Sequence, residues 1–193
     1  SHIRYLHSNL NKIDKDFPII WDIAKNIVEL RSLEKSIDNC ISVDGEIQDS
    51  ASVLLSSLRQ QTRNKRHTML TNLESFVRSP GGQKIVQEQI VTEREGRYVI
   101  PVKIEAKHEI KGIVHDVSNT GATIFIEPWD TVEEGNELRE LINEERREVE
   151  RILTSLSVEV GLHESEINRN IVLAAELALI FSKDIFAQRT QDA

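Results

Sequence analysis

The run Arg97-Tyr98-Val99-Ile100-Pro101-Val102-Lys103-Ile104-Glu105 decides the fold. Tyr98, Ile100, Val102 and Ile104 alternate with Arg97, Val99, Pro101, Lys103 and Glu105, a period of two that belongs to a strand. Ile110, Gly112, Val114 and Asp116 alternate with Lys111, Ile113, His115 and Val117, and Ala122–Glu127 is a third β-rich run. The connections at 106–109 and 118–121 are short and suit antiparallel hairpins. A three-stranded sheet in chain order is expected, with a helix or a partner chain covering one face.

On both sides the period returns to three and four. Upstream, residues from Ile3 to Ser42 read as helix, with Ile19, Ile20, Ile23, Ile27, Leu30, Leu33 and Ile37 in step. Pro18 fits a first helical position, with Asp16 as cap. Val43-Asp44-Gly45-Glu46 is a turn, with Gly where a positive φ is easiest. A helix over Ser50–Arg78 would run roughly 45 Å. It is capped by Asp49 or Ser50 and striped by Leu54, Leu58, Gln61, Lys65, Met69, Leu73 and Phe76. Its middle, Arg59–Thr68, is almost wholly polar, and Ser79-Pro80-Gly81-Gly82 stops it. Downstream of Pro128 a helix over Thr131–Val160 carries Leu138, Leu141, Ile142, Glu145, Val149, Ile152, Leu156 and Val160, and Gly161 breaks it. A last helix, Glu164–Phe186, keeps Ile167, Ile171, Ala174, Ala178, Phe181 and Ile185 in rhythm. Val172, Leu173, Leu177, Leu179 and Ile180 make its other faces apolar, so it should be buried in a core.

The expected fold class is mainly α with a small antiparallel β module: long antiparallel lever helices with a three-stranded clamp at the tip, returning to a helical core. The divisions are 1–48, core helices; 49–82, outgoing lever; 83–130, β clamp module; 131–160, returning lever; and 161–193, core helix.

The 193 residues are 29% charged and 5% aromatic, with eight Gly and four Pro, a helix-rich profile. The single Cys40 allows no internal disulfide and no Cys-built zinc site, which points to a reduced, cytoplasmic compartment. No apolar run approaches the ~20 residues of a membrane span. The chain starts Ser1-His2 and not with Met, which reads as a cut end with natural sequence upstream. The net charge of −8 hides an asymmetry: Arg59–Lys111 holds 11 Lys and Arg against 6 Asp and Glu. That third of the chain could meet a polyanion.

Catalytic patterns fail on inspection. Gly81-Gly82-Gln83-Lys84 lacks phosphate-loop spacing and follows no strand. Ser32-Leu33-Glu34-Lys35 lies mid-helix without companion motifs. His115-Asp116-Val117-Ser118 sits on a strand, where neighbours point to opposite faces. His108 and His115 lack a third metal ligand, and Glu144–Arg147 is a solvated helix face. What remains is electrostatic. Arg59, Arg63, Lys65 and Arg66 band the outgoing helix, and Arg94, Arg97, Lys103, Lys107, His108 and Lys111 surround the β module. Such residues neutralise phosphates without reading sequence. Glu93, Glu95, Glu105 and Glu109 weaken the field. Tyr98 and Phe125 lie in strand patterns, so no base-stacking platform is expected.

Three motifs carry a resemblance: Arg97–Lys103, Lys111–Ser118 and Thr120–Pro128. Together they resemble the clamp of MutS-two, the second bacterial MutS branch. Gly45–Ser52 with Leu58-Arg59 resembles the start of that family's outgoing lever, and Asn136–Leu141 with Asp184–Ala187 its return. The likeness runs from about Ile41 onward. One departure is Gln188 in Ala187-Gln188-Arg189, where a small or basic residue is expected. The resemblance implies a homodimeric parent with an ABC-type ATPase domain beyond Ala193, using ATP and Mg, and a carboxyl-terminal small MutS-related endonuclease domain. The mismatch-reading domain of mismatch-repair MutS is not implied.

The function expected is therefore that of a non-catalytic lever and clamp, without cofactor, metal or membrane contact. It would embrace branched or recombining DNA through phosphates and restrain homologous recombination. Two alternatives stand beside this: a clamp on collided or stalled ribosomes, touching rRNA and protein, and a purely mechanical lever and dimerisation element.

Overall fold

The computed structural model describes residues 17–191, and for 184, 185 and 187–191 the backbone alone. Asp16 as a cap, the helix before Phe17, and the side chains of Ile185 and Ala187-Gln188-Arg189 lie outside the described residues. The chain is mainly helical with one small sheet and forms two compact units. One holds the residues up to Gln48 and those from Ile152 onward; the other is Asp49–Arg151.

In the first unit, helix α1 (Pro18–Ala24) begins with proline in its first turn, where the missing N–H has no helical partner to lose. The expected continuous helix to Ser42 is interrupted before α2 (Arg31–Cys40). Val28 explains the break. Its N–H donates to Asn170 Oδ1 at 2.9 Å, and its carbonyl accepts from Asn170 Nδ2 at 2.8 Å. Asn170 is buried in the long helix Glu164–Gln191. One side-chain amide thus satisfies a backbone unit that a helix would otherwise have bonded. Ala24, Ile27 and Leu177 form the small core beside it. The turn expected at Val43–Glu46 is present. Gly45 has φ +85°, and Ser42 N–H donates to the Glu46 carbonyl.

The Glu164–Gln191 helix departs from expectation. Leu177 is 1% exposed, but Ile171, Val172, Leu179 and Phe181 are 40–57% exposed. Its inward line passes through Asn170, Leu173 and Leu177, not through Ile171, Ala178 and Phe181. A helix apolar on all sides was expected to be buried all round; within its unit it is covered on one side.

In the second unit, a one-turn 3-10 segment (Asp49–Ala51) leads into α3 (Val53–Arg78). The cap is Ser52, whose Oγ accepts from Leu55 N–H at 2.9 Å, not Asp49 or Ser50. The buried line is Leu55, Leu58, Thr62, Met69, Leu73 and Val77. Leu54 and Phe76, placed on the stripe by spacing, are 54% and 37% exposed. A short α4 (Gly82–Ile85) follows, so close to α3 that a Cβ on Gly82 would sit 2.0 Å from the Phe76 carbonyl oxygen.

The sheet has four strands, not three: β1 (Thr92–Arg94), β2 (Arg97–Lys103), β3 (Gly112–Val117) and β4 (Thr123–Pro128), in the antiparallel order β1-β2-β4-β3. The unexpected β1 is joined to β2 by Glu95 and Gly96, with φ of 51° and 74°; two residues of positive φ suit the twist of a hairpin. The hairpin expected between β2 and β3 does not form, because β4 lies between them. Ile104, expected to extend β2, instead opens a 3-10 turn (Ile104–Ala106) whose Ala106 joins the core.

Cross-strand partners share a face. On one face Tyr98, Ile100, Val102, Ile124 and Ile126 pack on Leu73, Val77, Ile85 and Val86. Pro128 then leads directly into α5 (Trp129–Leu162), which passes through Gly161 without a break. After the single residue His163, Glu164–Gln191 is α6.

Candidate nucleic-acid interface

The other face of the sheet carries Val99, Pro101 and Phe125 together with a network of charged side chains. Arg97 of β2 donates from Nη1 to Glu127 Oε1 at 3.1 Å and from Nη2 to Asn136 Oδ1 at 2.5 Å. Glu127 is 1% exposed, and its second oxygen lies 2.7 Å from His115 Nε2. A register shift between Val114 and Asp116 makes His115 the extra residue on β3, a bulge that aims its ring at Glu127. Arg94 sits 4.3 Å from the centroid of the Phe125 ring and pairs with Asp116 at 3.3 Å. Gly135 lets α5 close over this network: a Cβ there would fall 2.7 Å from Arg97 Nη1 and 2.8 Å from Glu127 Oε1.

Arg94 and Arg97 were both expected to touch phosphate. Arg97 bonds a buried carboxylate, and Arg94 contacts a ring and an aspartate. Lys103, the last residue of β2, donates from Nζ to the Lys84 carbonyl of α4 at 3.1 Å. Lys107, His108 and Lys111 follow that strand, all exposed and without an ion pair among the described residues. This short segment is where the sheet presents available positive charge, with Glu105 and Glu109 beside it.

The helical band divides the same way. Arg59 bonds Asp49 at 2.6 Å and Glu145 at 2.9 Å, Arg63 reaches Asp49 at 3.4 Å, and Lys65 pairs with Glu137 on α5. These contacts set α3 antiparallel to α5. The Arg59 guanidinium also holds the Asp49 carboxyl below its ordinary range. Arg66 is exposed and makes no ion pair among the described residues. Near the start of α3, Glu148 of α5 accepts from Ser52 Oγ at 2.6 Å and from Arg151 at 2.7 Å. Those donors, Arg151 first, lower its pKa to about 2.

Sequence reasoning missed Glu127 and Asn136 as partners of Arg97, and set His115 aside for want of a partner. The signal was present: Phe125 and Glu127 alternate with Ile124 and Ile126, placing a carboxylate on the face opposite the core. Among the described residues, no group of three or more His, Cys, Asp or Glu side chains could hold a metal. No helix among them is long and apolar enough to cross a membrane.

The sequence is similar to known proteins over most of its length. The chain is 42% identical over 175 residues to "Endonuclease MutS2" of Pelotomaculum thermopropionicum, covering 91% of this chain and 22% of that protein. It is 40% identical over 180 residues to that of Halalkalibacterium halodurans, covering 93% and 23%. The chain is a MutS2-family sequence. Against the Bacillus cereus MutS2 the identity is 43% over 174 residues, 90% of this chain and 22% of that protein. The chain spans about a fifth of the length of the MutS2 relatives it matches. No family model matches it.

Proposed function

We propose that this chain is a gripping segment of a MutS2-type protein, holding nucleic acid by its phosphates without reading sequence, and that the endonuclease activity named for its relatives resides in the four fifths of their length that it does not span. The observation that carries the reading is the sorting of charge. The sheet's arginines are neutralised within it, while Lys107, His108 and Lys111 stand exposed together, and exposed Lys and Arg meet backbone oxygens wherever these fall. Here α3 and α5 act as lever helices and the sheet as clamp. The load is branched or recombining DNA, whose exchange the clamp restrains. ATP, Mg and a homodimeric mate belong to the remainder of the protein.

An electrophoretic shift assay on four-way junctions at low salt tests this, comparing the chain with Lys107→Ala/His108→Ala/Lys111→Ala. Binding that weakens in the variant and with added salt is the expected result. Unchanged binding removes the 107–111 segment from the interface. No junction binding, with cosedimentation on stalled ribosomes, would move the same surface onto rRNA.

A further inference from the structure

Between Leu58 and Met69, the single buried side chain of α3 is Thr62. It is 6% exposed, and its Oγ1 has no hydrogen-bond partner. An unpaired buried hydroxyl is a standing cost to the fold, and an acceptor brought from outside would relieve it. Thr62 is also short for its place. Where Leu58 and Met69 fill the line before and after, Thr62 leaves a cleft of about 470 Å³ against α5.

Four arginines line that cleft beside the apolar Ile142 and Val149. Arg59, Arg63 and Arg66 come from α3 and Arg146 from α5, against the single lining carboxylate of Glu145. Asp49 stands just outside and pairs with Arg59 and Arg63. Arg59 is further engaged by Glu145 at 2.9 Å. Arg66 and Arg146 are exposed and make no ion pair among the described residues. Two available guanidinium forks, one from each helix, thus line the same cleft as Thr62, whose buried hydroxyl lacks a partner. Planar forks and a hydroxyl donor arriving from different directions suit a tetrahedral oxyanion better than a flat carboxylate, which one fork satisfies alone.

We propose that this cleft is a phosphate site, with Arg66 and Arg146 as its clamps and the Thr62 hydroxyl as a donor from its floor. A phosphodiester of bound nucleic acid and a free phosphate share this chemistry. The first source deepens the gripping role proposed above and rests on it; the second does not.

Two titrations of the 193-residue chain separate the cases, one with inorganic phosphate and one with a 20-base-pair duplex, both at matched ionic strength. The readouts are amide chemical shifts and affinity. Inorganic phosphate should shift the amides of Thr62, Arg66 and Arg146. Thr62→Val, which keeps the volume and removes the hydroxyl, should weaken phosphate about tenfold. Arg66→Ala/Arg146→Ala should abolish it without lowering the melting temperature, since both side chains are exposed. If the phosphate belongs to DNA, the double variant should also lower the salt slope of duplex binding by about two. An unchanged slope with intact phosphate binding assigns the cleft to free phosphate. Phosphate binding without any duplex binding retains the site and removes the nucleic-acid role. No shift at these amides, or equal phosphate affinity in the double variant, overturns the proposal.

Discussion

Arg97 and Lys111 lie near one another in sequence and carry the same charge, yet their surroundings differ completely. Arg97 is pinned between Glu127 and Asn136 beneath α5, and removing it would leave a buried carboxylate with His115 alone. Lys111 faces solvent at the entrance to β3 and has no ion pair among the described residues. The difference teaches that basic residues around a sheet must be sorted by register before they are counted. A strand position opposite a buried acid makes an arginine part of the fold, whereas one in a connection leaves a cation available to a ligand.

The comparison is broken most forcefully at its buried end. Arg97→Ala should cost about 3–5 kcal/mol, the usual penalty for stripping one partner from a buried ion pair. Chemical denaturation measures this, and adding Glu127→Gln should restore part of the loss. A cost below about 1 kcal/mol would show that Glu127 is content without Arg97. Gly135→Ala reaches the same network from α5, because its Cβ would collide with both Arg97 and Glu127. A loss of about 1–3 kcal/mol is expected, the common range for overpacking.

A paired acid away from the sheet sharpens the contrast. The Glu148 carboxyl is held at about 2, below its ordinary 4.5, by Arg151 and Ser52. The unfolded chain therefore binds a proton more readily than the folded one. The stability this group contributes is complete above about pH 4.5 and is lost as pH falls toward 2. Glu148→Gln should flatten the acid limb of a stability-against-pH curve in that window. Ser52→Ala should lower stability at neutral pH by about 1 kcal/mol through the lost cap. At the exposed end, Lys107→Ala/His108→Ala/Lys111→Ala should leave stability within about 0.5 kcal/mol, so that any change in binding reports on the ligand.

The sequence made the helices α3, α5 and α6 legible, along with three strands and the turn at Gly45, because each has a clear period or a glycine at positive φ. It hid β1, whose three residues, Thr92-Glu93-Arg94, carry no apolar alternation. The β1–β2 turn also escaped notice, since Glu95 takes a conformation usually left to glycine or asparagine. The strand order was hidden because which strand lies beside β2 depends on contacts distant in sequence, not on the length of 106–109. On α3 the expected Leu58, Met69 and Leu73 are buried, but at the two ends Leu55 and Val77 turn inward in place of Leu54 and Phe76. Of the candidate site, the charged residues were visible individually. Their partners were not, since Glu127, Asn136 and Asp116 reach Arg97 and Arg94 only once the sheet has formed.

The most direct test of the sorting is the salt dependence of duplex binding, measured for the chain and for Lys107→Ala/Lys111→Ala. If these exposed lysines meet phosphates, the slope of log affinity against log salt should fall by about two, one for each contact removed. An identical slope for both proteins would mean that the charges left exposed by the fold are not the ones that hold nucleic acid.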